Sequence, residues 1–106
     1  MLPKKKRVTK EIFQTIMEKG NIIPGSFFVF RYIKQDTPQY AFVAPKKIAK
    51  RAVKRNSLRR VGYNILRQYD LKFNAGIFFY KKEALVSNTT EFKKDIDFIL
   101  KKAKII

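Results

Sequence analysis

The sequence predicts an α/β (α+β) two-layer sandwich with its elements in the order αβββαβα. Three observations lead there. Apolar residues recur at helical steps in three segments, and aromatic or β-branched runs bounded by turn residues fill four others. No internal repeat or low-complexity linker divides the chain. Its 106 residues, 45% of them hydrophobic, suffice for a single core, so residues 1–106 are expected to form one domain, with 1–8 as a flexible basic arm.

The first helix is predicted from Lys10 to Lys19. Thr9 is suited to cap it, Glu11 lies in the first turn, and Gly20-Asn21 stops it. Ile12, Phe13, Ile16 and Met17 form one apolar stripe. A short extended piece, Asn21 to Ile23, meets the turn residues Pro24-Gly25. Ser26 to Lys34 and Gln39 to Ala44 read as strands joined by the turn Asp36-Thr37-Pro38, hence as a hairpin. Pro45 ends the second, because proline cannot donate to a ladder.

A helix is predicted from Ala52 to Tyr69, with Leu58, Val61, Ile65 and Tyr69 facing the core. Its opposite side then carries Asn56, Arg59, Arg60, Tyr63 and Arg67. Gly62 within it costs about 1 kcal/mol relative to alanine. Asn74 to Lys82 is a strand, and the unbroken run Ile77-Phe78-Phe79-Tyr80 suggests burial on both faces. Asn88-Thr89-Thr90-Glu91 has the spacing of a capping box. The last helix aligns Phe92, Ile96, Ile99, Leu100 and Ala103. Its acids Glu91, Asp95 and Asp97 come early and its lysines late, as the helix dipole favours.

Charge dominates what the chain can bind. Twenty-five cations against eight acids give a net charge of +17. The 33 residues from Thr37 to Tyr69 hold no acid, and Lys46 to Arg60 alone contains eight cations. Such a field repels itself and calls for an anionic partner. No apolar run approaches the ~20 residues that span a bilayer. The basic helix needs its apolar stripe for the core, which leaves nothing to insert into a membrane surface. Cysteine and histidine are absent. That excludes disulfides, the usual zinc fingers, and nucleophilic or acid–base catalysis by those residues. The start of the sequence lacks the apolar stretch of a secretory signal, and a cytoplasmic location is expected. Asp36, Asp70 and Glu83 make no evident metal cluster.

Arginines on an exposed helix side can fork onto phosphate oxygens. Asn56 among them adds an amide, and Tyr63 a ring able to stack on a base. Lys46-Lys47-Ile48-Ala49-Lys50-Arg51-Ala52-Val53-Lys54-Arg55-Asn56-Ser57-Leu58-Arg59-Arg60 resembles the signature of the bacterial ribonuclease P protein subunit. That pattern is a Lys-Lys, a basic loop, Ala-Val, any residue, Arg-Asn, two variable residues and Lys/Arg-Arg. Leu2-Pro3, Arg7-Val8 and Phe13-Gln14 look like the opening of the same family. The chain departs from it at Ser57, at Tyr63-Asn64 and at Met17, where a basic residue, Arg-Glu and a second aromatic are common.

The resemblance implies a mixed sheet with a left-handed βαβ crossover, as in the second domain of ribosomal protein S5, against the usual right-handed rule. It implies a partnership with a catalytic RNA subunit and precursor tRNA, in which the RNA removes the 5′ leader. Mg²⁺ would be held mainly by the RNA, with no catalytic or metal-binding residue on the protein. Carried over by position, contacts with the RNA subunit fall on Lys46, Lys47, Lys50, Arg55, Asn56, Arg59 and Arg60. The same basic segment adds Arg51, Lys54, Tyr63 and Arg67. The leader cleft falls on Phe13, Met17, Phe27, Val29 and Arg31. A monomer is expected outside the ribonucleoprotein.

Phe13 suits a cleft and a core position equally well, whereas Met17 reads more readily as core. The composition alone would also suit a structural RNA-binding protein of the small ribosomal type. A self-sufficient nuclease is disfavoured by the missing histidine and the scattered carboxylates.

Overall fold

The computed structural model describes residues 8–35, 38–69, 71 and 74–106. The expected arm, apart from Val8, and the Asp36-Thr37 part of the expected turn lie outside these residues. Helix α1 (Lys10–Lys19) is followed by strands β1 (Asn21–Pro24), β2 (Phe28–Lys34) and β3 (Gln39–Val43). Then come α2 (Ala52–Leu66), β4 (Asn74–Tyr80), a 3₁₀ segment (Lys82–Val86) and α3 (Thr89–Lys102). The order αβββαβα is the one the sequence predicts. The local helix-start signals also act as read. The Thr9 side chain accepts from the Ile12 amide at 3.3 Å, and Asn88 Oδ1 accepts from the Glu91 amide at 3.0 Å.

The four strands form one mixed sheet in the order β1-β2-β4-β3. The expected hairpin between β2 and β3 does not form. β4 lies between them, antiparallel to β2 from Phe28↔Tyr80 to Lys34↔Asn74 and parallel to β3 from Gln39↔Ala75 to Val43↔Phe79. The hairpin is β1–β2 instead, with Asn21 opposite Tyr32 and Pro24 opposite Val29. β4 takes the centre because its Ala-Gly-Ile-Phe run buries both faces, a demand that an edge position cannot meet.

One sheet face carries Phe28, Phe30, Tyr40, Phe42, Phe78 and Tyr80 against α2 and α3. Phe78 stacks between Phe30 and Phe42, with centroids 4.3 Å and 4.8 Å away. Such ring pairs add about 0.5–1.5 kcal/mol each beyond the area they bury. The other face packs Ala75 and Ile77 against Ile16 of α1, with Ile12 and Phe13 beside them. Among the described residues, α1 is thus the one helix on its face, opposite the α2–α3 layer.

Two contacts set how closely the helices approach the sheet. A Cβ on Gly62 would stand 2.5 Å from the Phe42 ring, so only glycine lets α2 settle this deeply. The local cost of that glycine is thus offset by contact with the sheet. On α3, Asp95 is 6% exposed. Its carboxylate accepts from the amides of Ser26 and Phe27 at 2.9 Å each and of Phe28 at 3.1 Å. The acid that reads as a dipole contribution sits in the second turn of α3 and grips the β1–β2 connection. Tyr69 and Asp97 tie the end of α2 to α3, at 3.2 Å. Burial, aided by the Asp97 charge, pushes the Tyr69 hydroxyl up to about 12.

Asp95→Ala strips three backbone donors of a charged acceptor in a buried place. It is expected to lower unfolding free energy by about 3 kcal/mol in a urea titration. A loss well under 1 kcal/mol would show that those amides do not depend on this carboxylate.

Candidate nucleic-acid interface

α2 turns Leu58, Gly62, Tyr63, Ile65 and Leu66 inward. Asn56, Arg60, Asn64 and Arg67 are exposed on the other side, with Arg59 half-buried at the boundary. Together with the rim of Tyr63 these residues line a groove of about 470 Å³. Arg59 donates to Asn56 Oδ1 one turn earlier, and Arg67 Nη1 approaches Asn64 Oδ1 at 3.4 Å. Each asparagine oxygen is thus directed to an arginine, on a helix side where Arg60 is also exposed. A donor surface of this kind suits phosphate oxygens. Lys46, Lys47, Lys50, Arg51 and Lys54 are exposed on the turn before α2 and on its first residues. Among the described residues, no ion pair involves a cation from Lys46 to Arg60; the recorded pairs are Lys81–Glu83, Lys94–Glu91 and Lys101–Asp97. The charge therefore remains uncompensated within the described fold.

Two residues assigned to this surface act differently. Tyr63 is only 7% exposed. Its ring meets Phe42 edge-on at 5.2 Å, and its hydroxyl accepts from the Phe42 amide at 3.3 Å. It forms the floor of the groove and offers no free ring face. The close approach allowed by Gly62 widens the buried arc of α2 enough to include it. Arg55 turns back on the preceding turn, where Nη1 donates to the carbonyls of Ala49 at 3.0 Å and Lys50 at 2.7 Å. It stands three residues before Leu58 and seven before Gly62, so it falls on the inward stripe. That spacing was the signal for its inward role.

A second surface lies on the sheet face beside α1. Val29 pairs with Phe79 and Arg31 with Ile77, and parallel pairing adds Val43 and Ala41 to the same rows. Phe13 meets Phe79 edge-on at 6.4 Å, and Arg31 Nη1 donates to the Met17 carbonyl at 3.4 Å. Phe13, Val29 and Arg31 are half-buried, while Met17 is exposed rather than core. These four expected cleft residues come together. Phe79, Val43 and the exposed Ile22, opposite Arg31, belong to the same face and were missed. Their membership depends on register, which no local signal in the sequence carries.

Phe27 does not join them. It precedes β2 and packs edge-on against Phe92 of α3 at 5.7 Å, on the other side of the sheet. Strand alternation fails there because Asp95 holds the amides of Ser26 to Phe28 in a turn.

A family profile described as Ribonuclease P matches residues 2–104. The chain belongs to the ribonuclease P protein family. The fold agrees with solved members. A mutant Staphylococcus aureus RNase P protein with defective mRNA degradation activity superposes with a TM-score of 0.85 at 22% identity, over 95% of this chain and 90% of that one. The RNase P protein from Thermotoga maritima gives 0.80 at 21% identity, over 91% and 96%. Another Staphylococcus aureus RNase P protein gives 0.80 at 24%, over 100% and 95%. No curated protein matches the chain. Family membership makes it a protein component of a ribonuclease P ribonucleoprotein, with an RNA partner.

The position of Arg55 can be checked without any ligand. Arg55→Ala is expected to speed hydrogen exchange at the Ile48 and Ala49 amides, both bonded to the Pro45 carbonyl, by about tenfold. The Leu66 amide should change little. Equal exchange in both proteins would show that the turn holds its shape without the guanidinium.

Proposed function

We propose that this chain binds the catalytic RNA of ribonuclease P through the outer side of α2 and the turn before it. The sheet face beside α1 then holds the single-stranded 5′ leader of precursor tRNA. The observation that carries this reading is the set of cations from Lys46 to Arg60. They lack acidic partners among the described residues, and they ride on α2 and the turn before it, with the inner side of α2 locked to the sheet.

The physical contribution is electrostatic and positional. Two polyanions, the catalytic RNA and its substrate, repel each other. A rigid cationic wedge between them lowers that repulsion and fixes their relative orientation. The face beside α1 offers Phe13, Phe79 and Met17 to unstacked bases and Arg31 to the leader backbone. Leader cleavage itself is assigned to the RNA, with Mg²⁺ at its phosphates. Among the described residues no three potential ligands gather at one place, so an ion resting on the protein would draw the rest of its shell from RNA phosphates and water.

Reconstitution with a catalytic RNA of this family at low Mg²⁺ tests the reading directly: leader removal should speed up when the protein is added. No acceleration, together with copurification of a ribosomal subunit, would point to a structural RNA-binding role instead. Arg59→Ala combined with Arg60→Ala is expected to weaken binding to that RNA. It should also flatten the plot of log affinity against log salt by about two units of slope. An unchanged slope would remove both side chains from the interface. Phe13→Ala is expected to reduce preference for precursor over mature tRNA by about fivefold, as loss of one stacking platform allows. Parallel changes in both affinities would place Phe13 outside the leader path.

A further inference from the structure

A second groove opens at the start of α2, away from the Asn56–Arg67 groove. It has a volume of about 630 Å³, within the range of small-ligand clefts. Ile48, Val53 and Leu85 form its aliphatic walls, and Lys50, Arg51 and Lys54 stand at its rim. Val53 is 80% exposed and Leu85 39%. Packing among the described residues accounts for neither; Val53 sits inside the most cationic stretch of the sequence, and Leu85, from the 3₁₀ segment, lines the same groove. We propose that this groove takes one unpaired nucleotide of the RNA partner, with the base against the aliphatic walls and its phosphate at the basic rim. The proposal deepens the RNA-binding reading above and rests on it.

The groove is built before any ligand arrives. Arg55 pins the Ala49 and Lys50 carbonyls, and the Ile48 and Ala49 amides close onto Pro45. The wall facing Val53 is therefore held in place, and little ordering cost remains for binding. The chemistry of the walls selects the occupant. Apolar surface and cations within one slot call for a ligand that joins a flat apolar face to an anion a few ångströms away. A nucleotide unit of RNA has that form. A paired nucleotide does not qualify, since its base faces are already stacked in the helix. The separate groove on the exposed side of α2, lined by Asn56 and Arg60 among others, is a second cationic surface able to take phosphates further along the same strand. Two cationic grooves on one helix favour a polynucleotide over an isolated lipid chain.

Methyl-labelled full-length protein should be titrated with hexaadenylate RNA, with a hexamer of the same backbone lacking bases, and with phosphatidylglycerol vesicles. With hexaadenylate, the methyl resonances of Ile48, Val53 and Leu85 should shift and show cross-relaxation to adenine protons. The abasic hexamer should leave them in place. Val53→Ser with Leu85→Ser keeps every cation. It should weaken hexaadenylate about fivefold while leaving the abasic hexamer unaffected, as expected for loss of apolar contact alone. Silent methyls alongside moving α2 resonances would overturn the groove assignment and leave RNA binding intact. Methyl shifts with vesicles and none with hexaadenylate would overturn it in favour of a membrane surface. Failure to bind hexaadenylate, the abasic hexamer and the catalytic RNA would overturn both this inference and the reading beneath it.

Discussion

Everything the cationic surface does depends on one contact: the inner side of α2 pressed onto Phe42. Gly62 permits the approach, the Tyr63 hydroxyl secures it, and the Tyr80 hydroxyl donates to the Leu58 carbonyl from the neighbouring strand. A helix lying loosely on a sheet can roll about its axis. One fastened on both sides of its buried arc cannot. The arginines beyond that arc therefore keep a fixed heading although they repel one another. Fixed charges cost more in the free protein than mobile ones. They also lose less freedom when an anion arrives. The stability that holds the array in place comes from the aromatic layer beneath it.

Signals confined to a few neighbouring residues were legible in the sequence. The caps at Thr9 and Asn88, the apolar stripes of α1 and α3, and the doubly buried β4 all appear where composition and spacing place them. Long-range choices were not. Sequence neighbours β2 and β3 look like a hairpin, but hydrophobic burial gives the place between them to β4. Phe27 shares the parity of Val29 and Arg31, yet a carboxylate about seventy residues away bends the backbone and sends the ring elsewhere. The site shows the same division. The exposed Arg60 and Arg67 follow from the helical period. The inward Arg55 also follows from it once the stripe is extended backwards by one turn. Tyr63 does not, because its burial depends on how deeply the helix sits.

The two faces of the sheet have divided their tasks. The face under α2 and α3 is filled by aromatic side chains and provides cohesion. Among the described residues, the face under α1 is only partly covered, since one ten-residue helix cannot span four strands. Phe79 and Val43 remain half-open beside Phe13 for that reason. A partly open apolar strip edged by Arg31 is the result.

The strand order has a consequence for synthesis. The central strand, Asn74–Tyr80, is the last of the four to be translated. Until it leaves the ribosome, β2 and β3 lack the neighbour that joins them, and the nascent chain holds its greasy rings without a sheet to bury them. Four of those rings, Phe28, Phe30, Tyr40 and Phe42, precede it by more than thirty residues. Folding of this polypeptide must therefore be largely a late event, completed by non-local pairing rather than built up from its amino terminus.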